Sequence, residues 1–152
     1  MKKKKIAIIL GIVLTVLVGI FVYMLNPLLR YHNIQLSNAM KQLSEKDGQE
    51  IFLNEVVPFS WDAVYTFAPY TSKQSIEEQI GFTSNAITES VNEGMTQLIF
   101  VNDKIVVASI CGYSDSLGYM VEFTDCVKRT DKIPFKVHAT ESYVELKALS
   151  KQ

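Results

Sequence analysis

Apolar positions run almost unbroken from Ile6 to Leu25, IAIILGIVLTVLVGIFVYML, and no later run is as long. A helix of that length rises about 30 Å, the thickness of a bilayer's hydrocarbon core, so the pattern predicts a transmembrane helix over 6–25. After Asn26-Pro27, a cap residue followed by a proline suited to a first helical turn, the period changes. Leu29, Leu36, Met40 and Leu43 recur at spacings of seven, four and three, with Ile34 nearby. They form one apolar stripe on a helix of 28 to 46, which Gly48 ends. Such a helix either packs on its own domain or pairs, as a stalk, with a partner's helix.

Beyond Gly48 the period falls to two. Trp61, Ala63, Tyr65 and Phe67 alternate with Asp62, Val64, Thr66 and Ala68, which predicts a strand with one aromatic, well-buried face between Pro58 and Pro69. Thr71 with Gln74 offers a capping box for a short helix through Ile76 and Ile80, stopped by Gly81. Residues 84–94 fit either a helix, through Ile87 and Val91, or a strand; the turn at Asn92-Glu93-Gly94 favours the strand. The clearest hairpin joins Thr96–Val101 to Lys104–Ile110 around Asn102-Asp103, and its continuous apolarity predicts strands covered on both faces. Tyr119–Thr124, with Tyr119, Val121 and Phe123 to one side and Met120, Glu122 and Thr124 to the other, Phe135–Ala139 and Tyr143–Lys147 complete the extended segments. The fold class is therefore α+β: an N-terminal transmembrane helix, then a helix and a mostly antiparallel β-meander packed with short helices. The divisions are a 1–5 tail, a 6–25 transmembrane helix, a 26–48 juxtamembrane helix and a 49–152 extracytoplasmic domain.

Charge sharpens the membrane expectation. Lys2 to Lys5 precede the apolar run, and positively charged flanks stay in the cytoplasm. The run is longer than a cleaved signal's apolar core and leaves through Tyr23-Met24-Leu25-Asn26-Pro27 without a small-x-small site. The expectation is thus a signal-anchor in the cell membrane: single-pass, N-terminus cytoplasmic, the rest extracytoplasmic in the cell envelope. The 152 residues leave room for one domain after the anchor, and that part carries 11 basic against 16 acidic side chains, a net charge of −5. An acidic domain is a poor nucleic-acid binder, so the expected partners are the membrane and a protein or envelope component, with no nucleic acid.

The stretch Phe59-Ser60-Trp61-Asp62-Ala63-Val64-Tyr65-Thr66-Phe67-Ala68-Pro69-Tyr70-Thr71 resembles a group of small bacterial membrane-anchored proteins. These share a Phe-x-Trp-Asp-x-x-Tyr-x-Phe-x-Pro-Tyr-Thr block, a short helix ending near Gly81 and a hairpin matched here by Leu98, Phe100, Val101, Val106 and Val107. The resemblance covers roughly residues 50 to 110. It implies a membrane location and supplies no chemistry.

Candidate chemistry is thin. Cys111 and Cys126 form a disulfide or are two small buried hydrophobes; a regular hairpin of 104–111 with 119–126 sets them about 23 Å apart, too far for a bridge. A Cys/His nucleophile with His138 has no supporting motif, and no metal-ligand spacing or phosphate loop is present. No cofactor is expected. The aromatic block either builds the core or presents an interaction surface through Trp61, Tyr65 and Tyr70. Gly11, Thr15 and Gly19 lie at i, i+4 and i+8, a candidate helix-packing face. The reading favoured is a membrane-anchored binding or interaction domain without enzymatic activity. The alternatives are a small envelope hydrolase or thiol enzyme, and an accessory subunit of a membrane complex.

Overall fold

The computed structural model describes the backbone of residues 2–24 and 26–149, and the side chains of 9–21 and 26–149. Helix α1 spans Lys2–Met24 and α2 spans Pro27–Gln42, continued by a 3-10 turn over Leu43–Lys46. Pro27 occupies the first turn of α2 as expected, but Asn26 makes no side-chain cap; it sits at φ 42°, a left-handed conformation asparagine tolerates better than most residues. Leu36, Met40 and Leu43 are buried, while Ile34 is exposed. The apolar stripe of α2 therefore packs on the chain's own strands, with the 3-10 turn closing its last step.

Strands β1 (Glu50–Phe52), β2 (Ala63–Thr66), β3 (Met95–Asn102), β4 (Ile105–Tyr113), β5 (Tyr119–Glu122), β6 (Cys126–Lys128), β7 (Pro134–Ala139) and β8 (Val144–Ala148) form two sheets. One has the order β4-β3-β2-β6, all antiparallel; the other has the order β1-β7-β8-β5, with β5 parallel to β8. The short helical turn α3 (Leu53–Val56) follows β1, helix α4 (Lys73–Ile80) lies between β2 and β3, and the turn α5 (Ser114–Leu117) joins β4 to β5. The main core lies between the two sheets and α2, with Phe100, Phe135, Tyr119 and Leu146 among its members. A second cluster, Phe67, Ile76, Ile87, Ile99, Val101 and Val106, lies on the far side of β3 under α4. Strand β3 accordingly feeds both: Leu98 and Phe100 point into the main core, Ile99 and Val101 into the second, the two-sided burial that an unbroken apolar strand requires.

The β3–β4 turn is set by Asp103 and Lys104, one residue later than expected, with φ of 48° and 59°. Two left-handed residues match the right-handed twist of the flanking strands in a two-residue hairpin. Asp62 fastens this turn: its Oδ2 accepts the Asp103 N–H at 2.7 Å, and its own N–H donates to the Val101 carbonyl at 2.7 Å.

Several expectations are corrected. Among the described residues no helix is long and apolar enough to cross a membrane. The transmembrane helix in the fold class is corrected accordingly, as are the signal-anchor and the single-pass cell-membrane localisation with its orientation. The side chains of Lys2–Lys5, on which that orientation rested, lie outside the described residues. The single meander is replaced by two sheets, because β8 inserts between β7 and β5 and pairs with β5 in parallel. Residues 84–94 form no strand; they cross the second cluster as a loop whose backbone is satisfied by side chains and neighbouring backbone. Glu77 accepts the Ser84 N–H at 2.8 Å, Gln97 donates to the Thr88 carbonyl at 2.8 Å, and the Ser90 carbonyl accepts from the Tyr70 N–H at 2.8 Å. Ser72, not Thr71, caps α4 by accepting the Ser75 N–H at 3.2 Å, whereas Gly81 ends it as expected at φ 85°.

Tyr119 is fully buried, and its hydroxyl finds no partner among the described residues. Burial pushes its phenol well above the ordinary tyrosine range. Removing an unpaired buried hydroxyl relieves a desolvation cost, so Tyr119→Phe should leave stability unchanged or raise it by up to about 2 kcal/mol. Urea unfolding checks this; a lower midpoint would mean that the hydroxyl is bonded.

Candidate binding cleft

The residues singled out from the sequence do not converge. Trp61 is enclosed, 1% exposed, with its ring edge-to-face against Phe100 at 5.7 Å. It points into the main core, whereas Tyr65 and Phe67 point into the second cluster, so the aromatic alternation breaks at Asp62, which binds the hairpin turn. Tyr65 is half-buried and stacks on Phe67 at 6.3 Å. Tyr70 is exposed and left-handed, with φ 66°, at the corner between β2 and α4. On α1, Thr15 donates to the Gly11 carbonyl at 3.0 Å, and among the described residues nothing within 4 Å would meet a Cβ at Gly11 or Gly19. That face is open.

Cys111 and Cys126 are free thiols. They lie on β4 and β6, the two outer strands of one sheet, so three strand spacings of about 4.8 Å hold their backbones roughly 14 Å apart. That is twice the reach of a disulfide. The hairpin assumed for them is corrected as well: β4 pairs with β3, and β5 with β8. His138 sits on the solvent side of β7 in the other sheet, its Nδ1 3.8 Å from the Asp47 carboxylate, and the main core separates it from both thiols.

Neither thiol is primed for nucleophilic work. Burial raises the Cys111 thiol, partly offset by a hydrogen bond with Ser90. Burial also raises Cys126; its bond with Tyr65 and the Lys128 charge pull it down, while Asp131 and Asp125 push it up. A raised thiol holds less thiolate at neutral pH. Alkylation of the folded chain by iodoacetamide at about neutral pH should therefore be slower than that of the urea-unfolded chain. The rate should climb only above the ordinary thiol range. Equal rates in the two states would contradict this.

A concave surface lies where the two sheets part, between the end of β5, strand β6 and the end of β8. It is a cleft of about 700 Å³. Phe123, Val127, Ile133, Ala148 and Leu149 supply its apolar wall, and Phe123 is held edge-to-face against Phe135 at 6.2 Å. Glu122, Lys147, Thr124 and Asp131 form the rim. Lys147 Nζ lies 2.9 Å from Glu122 Oε2 across the parallel β5–β8 pair, and this bond raises the lysine's pKa. The outer edge of β6 is largely occupied here: the Cys126 N–H donates to Thr124 O at 2.7 Å, the Lys128 N–H to Asp131 Oδ2 at 2.9 Å, and the Lys128 carbonyl accepts from Asp131 N–H at 2.9 Å. A ligand would thus meet mainly side chains rather than an open strand.

Of the lining residues, the sequence singled out Cys126, as a thiol, and placed Phe123 only within the extended segment Tyr119–Thr124, on the side of Tyr119 and Val121. Ile133 and Asp131 belong to a turn, and their signal is an isolated isoleucine before a proline in an otherwise polar segment, Lys128–Lys132. Among the described residues no group of three or more His, Cys, Asp and Glu side chains is placed to hold a metal ion. No family model, curated protein or solved structure matches this chain.

Proposed function

We propose that this chain is a binding domain that takes an apolar side chain of a partner peptide in the cleft between its sheets and performs no chemistry on it. The observation that carries the reading is the cleft itself: an apolar wall inside a polar rim, within the about 300–1,000 Å³ range of ligand pockets. The one nucleophile on its wall, Cys126, is bonded to a tyrosine and raised by burial, and no histidine lines the site. With the outer edge of β6 largely occupied, recognition falls to shape and apolar burial.

The test is methyl NMR of the full chain titrated with N-acetyl-leucine methylamide. Shifts should concentrate on the methyls of Val127, Ile133 and Ala148 and disappear in Ile133→Lys, with the remaining spectrum preserved. Shifts confined to other parts of the chain, or unchanged in the variant, would sink the assignment.

A further inference from the structure

Strand β4 is an outer strand, nine residues long, and its free edge is met by side chains of α2. Asn33 Nδ2 donates to the Ser109 carbonyl at 2.9 Å, and Asn33 Oδ1 accepts the Ser109 N–H at 3.1 Å. One side-chain amide thus makes the two bonds that a neighbouring strand would make. His32 Nδ1 donates to the Val107 carbonyl at 2.8 Å, its ring stacked on Phe59 at 4.5 Å. The register slips at Phe100/Val101, so Val107 is the extra residue opposite β3, a bulge of the kind that blunts sheet edges.

We propose that the first half of α2 is a clasp that keeps the β4 edge closed against a second copy of this chain. The halves of α2 differ in how they are held. Leu36 and Met40 in the second half are fully buried, whereas in the first Leu28, Tyr31 and Ile34 are exposed and Leu29 alone of the aliphatic side chains packs, part-buried, against the second cluster, so His32 and Asn33 supply the polar share of its attachment to β4. The groups they cover are backbone donors and acceptors at strand spacing, for which an extended backbone is the matching partner. A second β4 supplies one by symmetry. Antiparallel pairing about a two-fold axis at Ser109 sets Val107 of one copy opposite Cys111 of the other, and the same surface serves both sides. The solvated clasp leaves that pairing unavailable.

The test uses the full chain and Asn33→Ala. Protection of the Ser109 amide from hydrogen exchange should fall by about tenfold or more. In sedimentation the variant should gain a species of twice the wild-type mass as concentration rises. Ser109→Pro removes the N–H that a partner strand needs and is tolerated at a sheet edge. Added to Asn33→Ala, it should return the chain to wild-type mass. Should Asn33→Ala fail to fold, Asn33→Leu, which keeps the side-chain volume and loses both Ser109 bonds, takes its place with the same expectation. Wild-type mass for the clasp variant at every concentration, or a doubled mass that survives Ser109→Pro, would overturn the proposal.

Discussion

Trp61→Ala should remove a large share of the chain's cooperative stability. The indole is buried against Phe100 in the main core, and truncating an enclosed tryptophan costs about 3–5 kcal/mol through lost burial and the cavity left behind. Domains of this kind have a total of about 5–15 kcal/mol to lose. Urea unfolding followed by far-ultraviolet circular dichroism should show the midpoint falling in proportion to a loss of about 3–5 kcal/mol. A loss under about 1 kcal/mol would place the indole outside the core. The indole N–H has no acceptor among the described residues, so the loss is one of packing and not of a hydrogen bond.

Met40→Glu should be comparably damaging, and its comparison with Ile34→Glu is the informative part. Met40 is fully buried in the core beneath α2, and an unpaired carboxylate there belongs to the class of substitutions that cost more than about 4 kcal/mol. Ile34 lies on the solvent side of the same helix, where the change should stay within about 0.5 kcal/mol. Two similar losses, or two negligible ones, would mean that α2 is not docked through the Leu36–Met40 face. The measurement is again the unfolding midpoint of each variant.

Local periodicity made much of this legible. The stripe at Leu36, Met40 and Leu43 needs only a helix with one apolar side, and the two-sided burial of β3 follows from an unbroken apolar run. The β5 alternation, Tyr119 and Val121 inward with Met120 and Glu122 outward, holds for the same reason. What escaped was long-range. Nothing in residues 119–122 or 144–148 marks them as parallel neighbours, since a strand's own pattern is the same whichever way its partner runs. The two faces of the aromatic block were also missed, because the bend at Asp62 comes from its bonds to Val101 and Asp103, about 40 residues away in sequence. The loop over 84–94 carried strand-like residues, but its hydrogen bonds go to Glu77, Gln97 and Tyr70. The cleft is assembled from strand ends and a turn, where no periodicity exists to read.

The insertion of β8 between β7 and β5 bears on how the chain reaches this state. Three of the four strands of its sheet are synthesised before it, yet β5 has no described neighbour in that sheet except β8. A ribosome-bound chain that has exposed everything up to Thr140 can close the β4-β3-β2-β6 sheet but not this one. Tyr119 and Phe135, both destined for full burial, must wait for Leu146 to arrive between their strands. Folding of the second sheet is thereby coupled to the last of its described strands, a non-local closure of the kind that slows folding and exposes apolar surface until it is complete.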